Sequence, residues 1–461
     1  MPNLVSFPFK PLPISYNCSV KIIRRLFNQL FTIQPDDQVP EKVALNFKHN
    51  VIVNTIDLGF FYFSDSFWSI NTIMPVFAAT LTDSPFLIGL IPAVVNAGWF
   101  IPQLFMSGRI SKMSRVLPLA LKMGFLERIP FMMMPLLALL IGKVENQTVF
   151  WLLFLLMIWR GVGGGLSALP WQELNARVFP ISHRSRYIGF SRVIAQTTGV
   201  LGSLLSAYLL GKFPYPSNYT IGFIVAGVSL WISYWGYSQN RESETEIHTD
   251  LAEGDDSKPE DNTWQLMKQI LKTDGNFRCY LISRSLAFMG NMASAFMAVY
   301  AMQRFNLGDE FAAIFTSVLL ITGILGYVVW GGLGDRIGPQ KVVVLSFITW
   351  GLGLIAAMFS QTLWVYYAVF ALFSLYSSGL NVGDMMLVME IGEERHRPVY
   401  LGLARSLTGA FLLLAPILSG WLVERFSYLV MFAVSLGFMI AATIFMTTVK
   451  DRPRRDSTSQ V

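Results

Sequence analysis

Apolar residues along this 461-residue chain fall in long unbroken runs, not in the one-sided stripes of soluble helices. Roughly twelve runs reach or exceed the ~20 residues that a bilayer-spanning helix needs. They lie near 51–80, 85–107, 117–141, 149–170, 187–211, 219–238, 278–302, 311–332, 342–360, 363–389, 400–423 and 427–448. Lipid cannot satisfy backbone N–H and C=O groups, so spans must be helices or a closed barrel. Barrel strands are about ten residues long and alternate in polarity. These runs are about twice that length without alternation, which predicts helices.

Polar stretches then set the boundaries. Residues 1–47 form a tail, in which Val20, Ile23, Leu26, Phe27, Leu30 and Phe31 recur at helical spacing opposite Lys21, Arg24 and Arg25. Such a basic amphipathic helix suits a membrane surface or the underside of the protein itself. Residues 48–238 hold six runs, 239–275 are a polar, acidic linker, 276–449 hold six more, and 450–461 form a second tail.

Composition agrees with the pattern. The chain is 53% hydrophobic and only 14% charged, with mean hydropathy +0.49, where a soluble protein carries about a quarter charged residues. The net charge of +6 would suggest nucleic acid in a soluble chain, but its placement points elsewhere. Arg109, Lys112, Arg115, Arg184, Arg186, Arg336, Lys341, Arg395 and Arg397 crowd the loops on one side, while the short opposite loops hold Lys143, Lys212, Arg304 and Arg425. The positive-inside rule then places both termini in the cytoplasm of a multi-pass protein of the cell (plasma or inner) membrane. Cys18 and Cys279 both fall on the cytoplasmic side, so no disulfide is expected. No apolar core with a cleavage site opens the chain, so no signal peptide is expected.

The two groups of runs repeat. Tyr187-Ile-Gly-Phe-Ser-Arg192 opens the fifth run and Tyr400-Leu-Gly-Leu-Ala-Arg405 the eleventh, each directly after a basic loop. Gly108 and Gly332 occupy matching places after the second run of each group. Two matches in the same order indicate parallel internal repeats.

Between the eighth and ninth runs stands Gly331-Gly-Leu-Gly-Asp335-Arg336-Ile-Gly338-Pro-Gln-Lys341. It resembles the loop signature G-x-x-x-D-R-x-G-x-x-[RK] of the major facilitator superfamily. The first-half copy is degenerate, with Ser111 and Ser114 where that signature has Asp and Gly. Arg160-Gly-Val-Gly-Gly164-Gly-Leu-Ser167 resembles the R-x-x-x-G signature of proton-coupled members. The fifth-run antiporter signature lacks its proline, although Gly199 and Gly202 are present. The glycines at 332, 334 and 338 do not have dinucleotide-loop spacing, and no G-x-x-x-x-G-K-[ST] occurs.

The resemblance implies an all-α membrane protein of twelve transmembrane helices in two pseudo-symmetric six-helix bundles. It also implies a secondary active transporter of a small organic solute, proton-coupled and working by alternating access. A loop carboxylate, Asp335, with Arg336 and Gly338, would gate the cytoplasmic side by pairing with Arg192 across the bundles, and Arg405 would occupy the equivalent place. Aromatic-rich spans favour export of an amphipathic compound over solute uptake. The rival class is a non-transporting or lipid-handling protein of the same fold. An enzyme is not expected, since His49, His183, His248 and His396 are scattered outside the runs and no nucleophile or metal constellation appears. No cofactor, metal or nucleic acid is expected, and a monomer is.

Ionisable residues inside spans are costly and mark function by default. Asp65, Arg160 and Glu127 are the proton-coupling candidates, with Asp65 placed first, modulated by Arg160. Asp57, Arg284, Asp384, Asn291 and Asn381 are cavity candidates, because spans 1, 4, 7 and 10 line the cavity in the superfamily. Burial favours a neutral carboxyl and a nearby arginine favours the charged form, so a rearrangement that alters both can load and unload a proton. The plainer alternative is that such groups form static buried ion pairs. Tyr366, Tyr367 and Tyr376 would add aromatic walls, although helix packing explains most membrane aromatics.

Overall fold

A computed structural model describes residue 33 and residues 39–110, 113–243, 259–392 and 396–450. The tail pattern at 20–31, residues 111 and 112, the acidic linker at 244–258 and the tail at 451–461 lie outside the described residues. Apart from one isolated bridge between Ile141 and Val144, every regular element described is helical.

The first half contains α1 (Glu41–Asp65), α2 (Ile73–Ala79), α3 (Pro85–Ile110), α4 (Leu117–Ala138), α5 (Asn146–Val178), α6 (Ile181–Lys212) and α7 (Ser217–Ser238). Linker helix α8 (Pro259–Thr273) follows. The second half contains α9 (Gly275–Gly290), α10 (Met297–Phe305), α11 (Glu310–Ile337), α12 (Pro339–Phe359), α13 (Leu363–Ile391), α14 (Arg397–Arg425) and α15 (Tyr428–Thr448). Local chemistry sets several ends. Asp274 accepts from the Phe277 N–H at the start of α9, and Ser427 does the same for Val430 at α15, satisfying otherwise orphaned donors. Gly338 closes α11 at φ 89°, a conformation suited to glycine.

Two expectations are corrected here. The runs at 51–80 and 278–302 are not continuous helices. The first breaks between α1 and α2, and the seventh breaks through a short 3₁₀ turn, Met292–Ala295, between α9 and α10. Hydropathy does not register the first break, because its residues Phe67 and Trp68 are as apolar as a helix and fully buried. The Gly331–Ile337 signature is also not a loop. It forms the last two turns of α11, and the turn comes only at Gly338.

Nine segments among the described residues, with Gly275–Phe305 counted as one across its break, are long and apolar enough to cross a membrane by length and composition. The expected twelve exceeds that number because the first three runs fall short. Helix α1 carries Lys42, Lys48, Asp57 and Asp65, and α4 carries Lys122, Glu127 and Arg128. The apolar part of α3 counted there is the shorter stretch Pro85–Phe100.

Packing repeats between the halves. Helix α1 packs on α6 and α7, α3 on α5, and α4 on α5 and α7. In the same order, α9 packs on α14 and α15, α11 on α13, and α12 on α13 and α15. The halves meet through α3 against α14 and through α6 against α11, which is again a symmetric pair.

Glycine permits a close helix approach in the first half. A Cβ on Gly165 of α5 would lie 2.4 Å from the Gly98 carbonyl oxygen and 2.7 Å from that of Trp99, both backbone atoms of α3. Neither can yield without separating the helices. Gly165→Val is therefore expected to cost about 1–3 kcal/mol or more, read as a lower unfolding temperature in detergent. An unchanged temperature would show that the two helices are not held in this contact.

Candidate functional site

Helices α1 and α15 begin and end on one face, here the terminal face, and the short connections at 80–84, 213–216, 306–309 and 426–427 lie on the other, the distal face. The halves are tied towards the distal face. Thr72 and Thr316 share a hydrogen bond of 2.6 Å, as do Ser203 and Ser317 at 2.8 Å, and Asn218 donates to Asp309 at 3.1 Å. Glu424, at the end of α14, accepts from the Ser84 hydroxyl at 2.9 Å and from the Phe86 N–H at 3.0 Å. A second-half carboxylate thus caps the first-half helix α3, where the N–H groups and the helix dipole favour an anion.

Removing that cap by Glu424→Ala is expected to weaken distal closure by about 1 kcal/mol. The readout is faster alkylation of a cysteine placed at Ser84, against the same cysteine with Glu424 intact. Equal rates would show that the cap does not hold the face shut. Asp309 adds a titratable contact on this face, since burial raises its carboxyl above the usual range while Asn218 opposes the rise. Its protonated form favours the closed contact, most fully below the ordinary carboxylate value, and that advantage is lost as pH rises through the raised value.

The terminal face is different. Glycines 189, 331, 332, 402 and 409, on α6, α11 and α14, have no atom of the described residues, beyond their own stretch of helix, within 4 Å of where a Cβ would stand. These are helices of the contact between halves. Asp335, Arg336 and Arg405 are exposed here. Arg192 is also exposed, stands three turns into α6, and donates to the Tyr62 hydroxyl at 2.7 Å within its own half. Gly338 terminates α11, as above.

Between the faces lie the buried charges, and they are joined in pairs. Asp65 meets Arg160 at 2.6 Å, with 39% and 13% of their side chains exposed. Arg284 meets Asp384 at 2.8 Å, and the Tyr280 hydroxyl donates to the same carboxylate at 2.9 Å. Arg128 meets Asp57 at 3.2 Å, both almost fully buried. Ser233 donates to Asp57 at 2.6 Å and accepts from Arg128 at 2.9 Å. The Arg128 guanidinium also donates to the Gly124 carbonyl and lies 5.3 Å from the Tyr234 ring centre. Buried cations need such neighbours, because stripping their water is costly.

Glu127 differs from these. It is buried, accepts a hydrogen bond from Ser167, and lies close enough to Asp57 to act on it electrostatically. Asp57, Glu127 and Arg128 therefore lie close together. The glycine-rich segment of α5 creates this crowding. A Cβ on Gly163 would lie 2.8 Å from the Glu127 Cα, and one on Gly164 would lie 2.9 Å from the Trp99 ring.

Around this cluster lies a cavity of about 340 Å³, lined entirely by first-half residues. Asp57, Glu127 and Arg128 line it, with Tyr62 and Arg192 among the wall residues.

Of the expected residues, Asp57 and Glu127 are brought together, Asp65 pairs with Arg160, and Arg284 pairs with Asp384. Asn381 donates to the Tyr327 hydroxyl at 3.2 Å, and Asn291 caps α9 at the break in the seventh run. Two of the aromatic residues take the helix-packing alternative. Tyr366 is fully buried and donates to the Met297 carbonyl, and Tyr376 packs on Trp350, so both belong to helix packing. Trp171, which also lines the cavity, is not among the residues expected from sequence, whereas Arg128 is one of the intramembrane charges legible there. The signal was the adjacency of Glu127 and Arg128, since neighbouring helical positions point about 100° apart and two such charges in lipid both need partners.

The comparisons with known proteins agree with this architecture. The family profile described as Major Facilitator Superfamily matches residues 56–317 and 280–460. Among solved structures, the chain is similar to the nucleoside transporter NupG, with a TM-score of 0.65 at 12% identity, covering 87% of this chain and 100% of that one. It is also similar to a bacterial homologue of the iron transporter ferroportin in an inward-facing state, with a TM-score of 0.63 at 15% identity, covering 88% and 99%. For the D-xylose–proton symporter the values are 0.62, 15%, 86% and 96%. At these identities the likeness concerns the fold. An uncharacterized MFS-type transporter of Mycobacterium tuberculosis is 28% identical over 131 residues, which are 28% of this chain and 19% of that protein. The chain belongs to the major facilitator superfamily, whose members are membrane transporters rather than enzymes.

Proposed function

We propose that this protein moves a small amphipathic organic solute by rocking its two halves, with the movement coupled to protons. The terminal face is the cytoplasmic one, by the placement of Lys and Arg, so the arrangement described is open to the cytoplasm. It works as a monomer in the cell membrane. One observation carries the reading: the contacts described between the halves lie towards the distal face, and between the faces lies a buried carboxylate with no ion pair among the described residues.

That carboxylate is Glu127. It supports the proton role better than Asp65, whose charge is already matched by Arg160. In the rocking cycle, closure of the terminal face brings α6 and the end of α11 together, so that Arg192 leaves Tyr62 for Asp335. Reconstitution in liposomes under an imposed pH gradient tests the reading. Proton movement that depends on an added solute, in either direction, is expected. Asp65→Asn is expected to retain that coupled flux. Flux of no solute across a broad panel, with the protein folded, would contradict the proposal.

A further inference from the structure

The chain leaves the first half through residues 239–242, and this short strap ties down both helices that carry the buried cluster. Asn50 of α1 and Arg241 exchange two hydrogen bonds. The Asn50 amide donates to the Arg241 carbonyl at 3.0 Å and accepts from the Arg241 N–H at 2.9 Å. One turn on, Asn54 donates to the Asn240 side chain, and His49 lies 2.9 Å from the Gln239 carbonyl. Asp57 stands about two turns beyond Asn50 on the same helix.

Glu242 holds the second helix. Its side chain has no exposed surface. The carboxylate accepts from the Val116 N–H at 2.8 and 2.9 Å, one contact per oxygen, and from the Leu117 N–H at 2.8 Å. These are donors that the start of α4 would otherwise leave orphaned, at the end where the helix dipole favours an anion. Arg177 of α5 meets the same carboxylate at 3.4 Å and donates to the Met113 and Ser114 carbonyls at 2.9 and 3.1 Å. The turn into α4 is thus gripped through its N–H groups by Glu242 and through its carbonyls by Arg177. Glu127 and Arg128 follow about three turns along α4.

The other half has the clasp without the carboxylate. Asn276 of α9 donates to the Lys450 carbonyl at 2.9 Å and accepts from the Lys450 N–H at 2.8 Å, repeating the bonds of Asn50 and Arg241. No carboxylate grips the start of α12 among the described residues. There Gln340 donates to the Met446 carbonyl at 2.9 Å, and α12 itself carries no Asp or Glu. The buried carboxylate therefore accompanies the third span that has charges to place.

We propose that Glu242 is a positioning residue for the proton site, fixing the height of α4 against α1 so that Glu127 and Arg128 meet Asp57. The proposal rests on the proton role of Glu127 above and names what holds that group in register. The titratable and charged groups around Glu127 are Asp57 of α1, Arg128 of α4 and Tyr237 of α7, with Tyr62 of α1 and Tyr187 and Arg192 of α6 on the same cavity wall. Glu242 makes its contacts with Val116, Leu117 and Arg177, so its effect on Glu127 travels through α4.

Glu242→Ala removes the grip, and Glu242→Gln keeps an acceptor without the charge. Spin labels on cysteines at Ile52 of α1 and Phe125 of α4, both exposed, report the register of the two helices in a background with Cys18 and Cys279 replaced by serine. This distance needs no transport. Glu242→Ala is expected to shift or broaden its distribution, with Glu242→Gln intermediate. In liposomes, flux driven by a pH gradient is expected to fall about tenfold or more in Glu242→Ala, since a misplacement of about 1 Å can cost up to ~100-fold. Solute exchange without a gradient should stay near that of the unaltered protein. Unfolding temperature and size-exclusion profile identify a variant that fails to fold, and Glu242→Gln then carries the test. An unchanged label distance, or an equal loss of driven flux and exchange, would overturn the proposal. Full pH-driven flux in Glu127→Gln would instead overturn the proton reading, and the label distance would still decide whether Glu242 sets the register.

Discussion

Arg128→Leu is expected to destabilise the protein by about 3–5 kcal/mol, because it leaves Asp57 buried without its cation. The side chains are 7% and 5% exposed, so water cannot replace the lost partner. Ser233 would still donate to Asp57, but one hydroxyl does not neutralise a charge. The measurement is thermal unfolding of purified protein in detergent. The double variant Asp57→Leu/Arg128→Leu should recover most of the loss, since an apolar pair of similar volume is often as stable as a buried ion pair. Failure of that recovery would show that Arg128 matters through other contacts, such as those with Gly124 and the Tyr234 ring.

The second large effect is on transport. Glu127→Gln keeps the shape of the side chain and can still accept from Ser167, so the fold should persist. With the ionisable group gone, flux driven by a pH gradient is expected to fall to the background of empty liposomes, while solute exchange without a gradient continues at a measurable rate. Liposomes preloaded with solute, compared with and without the gradient, separate the two. If Glu127→Gln retains full pH-driven flux, the proton is carried elsewhere.

Much of this architecture is legible in the chain because lipid leaves the backbone so few choices. Long apolar runs predict helices, and most run boundaries lie within a few residues of the helix ends. The run at 219–238 becomes Ser217–Ser238, and that at 427–448 becomes Tyr428–Thr448. The breaks in the first and seventh spans were not legible, because Phe67, Trp68 and Met292 are apolar in either conformation. The composition of the glycine signature suggests a loop, yet of its glycines only Gly338 has a positive φ, and the others continue α11.

The site was legible as a set of charges but not as a set of pairs. Asp65 and Arg160 could be matched from their equivalent depths in the first and fourth spans. Arg128 could not be assigned to Asp57, because pairing across α1, α4 and α7 depends on helix rotation, which is set by packing. Glu127 stands out only once every other buried charge has a partner. The cavity beside it follows from the close approach of α3, α4 and α5 through Gly163, Gly164 and Gly165, a three-helix property that no single run encodes.

Rocking of the halves is the central claim, and paired spin labels measure it most directly. In a background with Cys18 and Cys279 replaced by serine, one variant carries cysteines at Gly189 and Gly332 on the terminal face, and a second at Asp83 and Arg425 on the distal face. Pulsed electron resonance on reconstituted protein then gives both distance distributions with and without a pH gradient and solute. The terminal pair should shorten in the same conditions that lengthen the distal pair. Distances that stay fixed, or that shift together in one direction, would contradict alternating access in this protein.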